Sequence, residues 1–320
     1  MPADQATENV LPLPASTDRD PGTVPASRQP SGSGSAPVKV SILMCAYNEE
    51  QTIMRAVGDV LTTKYPCEIE LIVVDDGSTD ATPTLLALID DPRVSVHRHR
   101  GNRGKGAALL SAIALAGGTH IVPFDADLEY AAEDIARMVA PVLKGRCDVV
   151  YGTRLSGYNT VYQSYRYTLG NRLLTGTTNI LFNCCLSDLH TCLKLIPLAM
   201  VRSLKLTESG PGLDIEMTAI LLRADVRPFE VPVSYYSRSH AQGKKMKWRD
   251  VIACLLILIR VRRSRASRLR TAVVRPEVTE VFPEAAGHAG TVATEAGQSR
   301  EKVGALGLRD EDHSNAAATT

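Results

Sequence analysis

The sequence predicts an α/β domain, with a mixed, mainly parallel sheet flanked by helices in a Rossmann-like alternation. Two observations carry this expectation. Between Val38 and Tyr151, short β-branched runs alternate with segments of helical period. At the carboxyl ends of those runs stand the turns Cys45–Glu50, Asp75–Asp80 and Asp125–Glu129, where open α/β sheets place their functional groups.

The first strand is expected from Val38 to Met44, followed by a helix over residues 49–63 and a second strand from Ile69 to Asp75. The turn Asp76-Gly77-Ser78-Thr79-Asp80 offers N-cap side chains, so a helix is placed over 79–89. Val94 to His99 reads as the third strand, and Gly101 to Gly106 opens a helix over 104–116. Thr119 to Phe124 is the fourth strand, 132–143 the fourth helix and Asp148 to Tyr151 the fifth strand. Strands joined through helices pair in parallel and bury both faces. Beyond residue 151 the alternation breaks. Tyr158 to Asn183 reads as a loop and helix, with a strand near Thr191–Ile196, a helix near Asp214–Arg223 and a strand near Pro228–Tyr235.

Composition bounds what surrounds this unit. The 320 residues, 44% hydrophobic and 22% charged, hold one domain of ordinary size plus unstructured ends. Residues 1–37 are rich in Pro, Ser, Ala and Gly, with neither a basic n-region nor an apolar h-region, and are expected to form a disordered leader. Residues 271–320 lack an amphipathic period and are expected to be a disordered tail. A net charge of +1 gives no global reason to expect nucleic acid as a partner. The seven cysteines lack the paired short spacings of a zinc site and read as reduced thiols, in keeping with a cytoplasmic setting.

Three constellations carry chemistry. Asp75 and Asp76 at a strand end, followed by a glycine turn, suit a base and a ribose, although Ser78 and Asp80 equally serve ordinary turn capping. In Gly101-Asn102-Arg103-Gly104-Lys105-Gly106, free N–H groups, a helix dipole and the Lys105 ammonium converge where a phosphate can sit. That spacing matches neither the dinucleotide fingerprint nor the P-loop. The sharpest signal is Ile121-Val122-Pro123-Phe124-Asp125-Ala126-Asp127-Leu128-Glu129, an apolar strand running into three alternating acids. Residues i and i+2 at a strand end can bend toward one ion. Hard oxygen ligands suit Mg2+ or Mn2+, with diphosphate oxygens completing the shell.

Taken in order, Ala46-Tyr47-Asn48-Glu49, Asp75-Asp76-Gly77-Ser78, Asn102-Arg103-Gly104-Lys105-Gly106, Asp125-Ala126-Asp127 and Gly152-Thr153-Arg154 give the chain its resemblance to a known family. Over about residues 38–262 it resembles the family 2 glycosyltransferases of GT-A fold, and among them the dolichyl- or polyprenyl-phosphate mannose or glucose synthases. The resemblance implies a GT-A nucleotide-sugar-binding domain over 38–235 and an inverting, metal-dependent transfer of a hexose from GDP-mannose or UDP-glucose to a polyprenyl phosphate. It implies a nucleotide-sugar held by Ala46, Tyr47, Glu49, Asp75, Asp76, Lys105, Asp125 and Ala126, and a metal on Asp125 and Asp127 with help from Glu129. It further implies catalytic roles for Asp127, Arg154, Arg166 and Arg238. Arg154, Arg166, Arg238 and Lys244 are implied to gather the phosphates of donor and acceptor. Two departures stand out: Ala46 replaces the family's usual proline, and His190 with Leu193 lies where relatives more often read Glu-Thr-Cys-Tyr-Lys.

A physical argument favours a lipid phosphate as acceptor. A hydroxyl needs a general base, whereas a phosphate monoester, with a second pKa of about 6, is already ionised near neutrality and needs cations instead. Arg154, Arg166, Arg172, Arg238, Lys244 and Lys245 supply them. The alternatives are a hydroxyl acceptor with Asp188 or Asp214 as base, and a non-catalytic nucleotide-sugar or lipid-binding module. Residues 236–270 read as a basic phosphate-binding loop and a helix. Its apolar block Val251–Ile259 is too short to cross a bilayer, and basic residues surround it from Lys244 to Arg270. That helix either lies on an anionic membrane surface, on the cytoplasmic face, or packs as a core helix; both readings are compatible.

Overall fold

The computed structural model describes residues 37–155, 160–161, 165–210, 212–237 and 248–264, all within one compact unit. The first half alternates as expected: β1 (Lys39–Ala46), α1 (Ile53–Thr62), β2 (Glu68–Asp75), α2 (Thr82–Leu86), β3 (Val94–Arg98), α3 (Lys105–Leu115), β4 (His120–Pro123), α4 (Glu133–Leu143) and β5 (Val150–Thr153). The second half contains β6 (Thr160–Val161), α5 (Tyr165–Phe182), β7 (Lys194–Pro197), α6 (Leu198–Ser203), α7 (Leu213–Arg223), β8 (Phe229–Pro232), β9 (Tyr235–Tyr236) and α8 (Trp248–Arg263).

Among the described residues, seven strands form one sheet in the order β3-β2-β1-β4-β7-β5-β8, and β6 pairs with β9 beside it. Every pairing in the large sheet is parallel except those of β7, which runs antiparallel to both β4 and β5. The run Leu193–Ile196 is fully buried, Lys194 included, and burial on both faces specifies a strand but not its direction. The sequence also leaves α6 unread, because six residues after a proline are too few to show a helical period.

The pleat sends alternate side chains to opposite faces. Val40, Ile42, Met44 and Ala46 of β1 pack against Ile53, Val57 and Val60 of α1 and against Ile135, Met138 and Val139 of α4. Leu43 of the same strand joins the opposite layer, with Ala108 and Ala112 of α3 and the buried residues of α7. Helix α8 belongs to that second layer. It buries Cys254, Ile257, Leu258 and Val261 at helical spacing and packs against α7 and α5, so the core-helix reading is correct for one of its faces. Among the described residues no helix is long and apolar enough to cross a membrane.

Candidate active site

The strand order reverses between β1 and β4, because β2 and β3 extend the sheet on one side and β4 on the other. That reversal opens a crevice at the carboxyl ends of β1 and β4, the position where open α/β sheets bind ligands. The turn after β1 and the turn after β2 are stitched together across its rim. Asn48 N–H donates to Ser78 Oγ at 3.0 Å, Glu49 N–H to Thr82 Oγ1 at 2.9 Å and Glu50 N–H to Asp80 Oδ2 at 3.1 Å. In return Thr79 N–H donates to Asn48 Oδ1 at 2.8 Å and Ala81 N–H to Glu50 Oε2 at 3.0 Å. Ser78 and Asp80 therefore act as turn-forming residues. Ala46 is buried beneath the rim, and Tyr47 is exposed on it.

The two acids that end β2 do different things. Asp76 accepts from His99 at 2.7 Å, from Arg103 N–H at 3.0 Å and from Gly104 N–H at 2.7 Å, so its buried carboxylate holds the glycine turn before α3 in place. His99, missed from the sequence, completes this clamp through Ser111 Oγ at 2.9 Å; its position at the end of the β3 run was the available signal. Gly77 lies at φ 75°, and a Cβ there would meet Gly101 Cα at 2.5 Å, so the two turns touch through bare backbone. Asp75 accepts from Ser78 N–H at 2.9 Å through one oxygen. Its other oxygen is buried, 3.0 Å from Arg98 Nε but without hydrogen-bond alignment.

The clamp delivers Lys105, the first residue of α3, to the acid turn after β4. Lys105 Nζ lies 2.6 Å from Asp125 Oδ1. Asp127 Oδ1 accepts from Glu129 N–H at 3.1 Å, with Leu128 at φ 61°, and Glu129 Oε2 accepts from Tyr235 Oη at 2.8 Å. The glycine turn and the acid turn, far apart in sequence, thus converge on one spot. Among the described residues no group of three His, Cys, Asp or Glu side chains could hold an ion alone. Asp125 and Asp127 nevertheless fit Mg2+ or Mn2+, which commonly take one or two carboxylates and fill their shell from substrate phosphates.

Beyond β4 lies a second charged cluster. Arg154, just after β5, grips Asp188 with both arms, Nε to Oδ2 at 2.6 Å and Nη2 to Oδ1 at 2.8 Å, and its guanidinium lies 4.9 Å from the Tyr235 ring. Asn171 of α5 donates a further bond to Asp188 Oδ1 at 2.8 Å. Lys194 is fully buried and pairs with Asp214 at 2.5 Å while donating to Leu189 O at 3.0 Å. Arg166 lies on α5, whereas Arg238, Lys244 and Lys245 fall outside the described residues.

His190 sits amid these pairs with its Nε2 buried and without a hydrogen bond. Burial lowers its pKa to about 4, Asp214 and Asp188 opposing the shift while Lys194 and Arg154 add to it. The unfolded chain takes up this proton near pH 6.5 and the folded chain only near 4, so stability is expected to fall as pH drops through that window and not below it. The loss attributable to this residue is on the order of 3 kcal/mol. Denaturant unfolding at stepped pH should show it. His190→Gln should flatten the slope, and an unchanged slope in that variant would refute the assignment.

Known proteins resemble both the sequence and the fold. The family model for glycosyl transferase family 2 matches residues 41–202. Glycosyltransferase AglD of Haloferax volcanii is 29% identical over 221 residues, covering 66% of this chain and 35% of that protein. The undecaprenyl-phosphate 4-deoxy-4-formamido-L-arabinose transferase of Pseudomonas fluorescens is 28% identical over 236 residues, covering 68% of this chain and 64% of that protein. The chain thus spans about a third of the first relative and just under two thirds of the second. Among solved structures, glucosyl-3-phosphoglycerate synthase from Mycobacterium tuberculosis in complex with UDP superposes with a TM-score of 0.53 at 22% identity, over 72% of this chain and 80% of that one. The fold is that of the GT-A glycosyltransferases.

Proposed function

Because this chain belongs to glycosyl transferase family 2, we propose that it moves a hexose, with inversion, from a nucleoside-diphosphate sugar to a polyprenyl phosphate. The observation that carries the reading is the convergence of Lys105 and Asp125, 2.6 Å apart, at the switch-point crevice. In this reading Tyr47 and Asp75 bind the nucleoside, the unaligned Asp75 oxygen accepting from the base, and Glu49 supports the turn beside them. Asp76 acts at one remove, by positioning the glycine turn. Lys105 and the N-terminus of α3 face the diphosphate, with Ala126 beneath it. Asp125 and Asp127, with Glu129 behind them, would hold a divalent ion, which when bound supplies positive charge to the leaving diphosphate. The acceptor phosphate oxygen attacks the anomeric carbon as the bond to the diphosphate breaks, and the nucleoside diphosphate leaves.

Arg154, Arg166, Arg238 and Lys244 are proposed to gather the acceptor phosphate. The Pseudomonas fluorescens relative is named for an undecaprenyl-phosphate acceptor, and the Mycobacterium tuberculosis synthase has been crystallised with Mn2+, UDP-glucose and phosphoglyceric acid. These favour a phosphorylated acceptor and a uridine donor over GDP-mannose. The hydroxyl-acceptor reading is weaker on physical grounds. Burial would raise the Asp188 carboxyl, but the Arg154 fork outweighs it and holds it below its ordinary range, and Asp214 is engaged by Lys194. The catalytic unit is proposed to span 38–235 and residues 236–270 to bring it to the cytoplasmic face of a membrane as a peripheral protein.

The test is a panel of labelled nucleotide-sugars with Mg2+ or Mn2+ and a short-chain polyprenyl phosphate, followed by organic extraction. Label from a UDP-hexose is expected in the organic phase. Label found only on a water-soluble acceptor would overturn the lipid assignment.

A further inference from the structure

Helix α5 has two unlike faces. Its inner face serves the charged cluster: Asn171 donates to Asp188, Thr175 Oγ1 accepts from Leu189 N–H at 3.1 Å, and Asn179 bonds Leu186 through both its N–H and its carbonyl. Its outer face carries Tyr165, Leu169, Leu173 and Ile180, each between 53% and 84% exposed. The spacing of i, i+4, i+8 and i+15 keeps these four on one side of the helix. A stripe of large apolar side chains this open is unusual for a surface facing only water. The neighbouring α8, which packs against α5, repeats the pattern: Ile252, Leu256 and Ile259 are 39% to 62% exposed on the side opposite its buried residues. Arg172 is exposed on α5 and Arg263 at the end of α8, whereas Arg260 pairs with Glu208 and Glu216, both at 2.9 Å, and Arg262 donates to Leu181 O at 2.8 Å.

We propose that α5 and α8 together form the membrane-docking platform, their apolar stripes entering the headgroup boundary of an anionic lipid surface while the flanking arginines meet lipid phosphates. Apolar burial combined with arginine attraction is the chemistry of an interfacial helix pair. A second copy of the chain would match the apolar stripes but not the arginines, which favour an anionic partner. The placement has a functional consequence that rests on the polyprenyl-phosphate reading. The helix that touches lipid on its outside fixes the Asp188–Arg154 pair on its inside, so a docked lipid phosphate emerges next to the cations proposed to receive it.

The test uses the full chain and flotation with vesicles of neutral lipid alone or of neutral lipid mixed with phosphatidylglycerol, both free of polyprenyl phosphate, so that docking is read independently of the acceptor. The parent is expected to float with anionic vesicles only, and less in high salt. Leu169→Gln with Leu173→Gln should weaken flotation about tenfold, as should Ile252→Gln with Leu256→Gln, each without a change in melting temperature. Turnover of a short soluble polyprenyl phosphate should survive in both. Unchanged flotation of the α5 variant would overturn the platform. So would a parent that sediments as a dimer and becomes monomeric in the variants without any loss of vesicle binding. Absence of turnover on every lipid phosphate, with normal flotation, would sink the acceptor reading and leave the platform standing.

Discussion

Asp127→Ala is expected to reduce sugar transfer about 10²- to 10³-fold while shifting the melting temperature by no more than about 2 °C. The reaction separates a diphosphate from a sugar, and the charge that develops on the leaving group is stabilised by cations placed against it. Asp127 is one of the two carboxylates that would hold the divalent ion there, so its loss acts on the transition state. The bond it accepts from Glu129 N–H spans a surface turn and contributes little to stability. Asp125→Ala is different in kind, because it also releases Lys105 from its 2.6 Å pair and so disturbs the opening of α3. The comparison to make is kcat against Mn2+ concentration for the parent and both variants, with thermal melts alongside. Turnover by Asp127→Ala at the parental rate with the parental metal dependence would remove this residue from the metal site.

Much of this site was legible before any coordinates, and the reason is positional. A parallel sheet sends all its carboxyl ends to one edge, so polar turns that follow β1, β2 and β4 in sequence must share a crevice in space. The expected strand Ile69–Asp75 and the observed Glu68–Asp75 differ by one residue, and the four-residue β4 falls inside Thr119–Phe124. What the sequence could not separate was which of two adjacent acids faces the crevice. Asp75 and Asp76 look alike as letters, yet strand alternation sends one toward Ser78 and Arg98 and the other toward the glycine turn. The second half was less legible because its interactions are non-local. Lys194 is a lysine inside a strand, and partners elsewhere in the fold, Asp214 on a separate helix, Leu189 O and the Tyr151 ring, explain how its charge is tolerated at full burial. The exposed stripe of α5 was hidden for a related reason, since its apolar positions mimic a core face and nothing local says that no helix among the described residues covers them.

Asp188→Ala is expected to destabilise the fold by about 3–5 kcal/mol, the loss seen when one partner of a buried ion pair is removed and the other charge stays behind. Among the described residues Arg154 would keep the Tyr235 ring against its guanidinium, and Asn171 would lose its acceptor. Asp188 itself has no exposed surface, so water cannot replace it without opening the cluster. Replacing both partners, Asp188→Leu with Arg154→Met, should recover most of the stability, because it removes the stranded charge along with the pair. The carboxyl's lowered pKa fixes the pH behaviour. Its contribution is fully present above the ordinary aspartate value of 3.8 and is lost only as pH falls through the still lower folded value, so this pair adds no sensitivity near neutrality. Asp188→Asn separates this structural role from that of a general base in the hydroxyl-acceptor reading. A base predicts a variant that melts like the parent and does not turn over. A structural pair predicts a lower melting temperature, with turnover per folded molecule close to that of the parent. Urea unfolding and kcat measured on the same samples decide between them, and a normally stable, inactive Asn variant would return Asp188 to the chemistry.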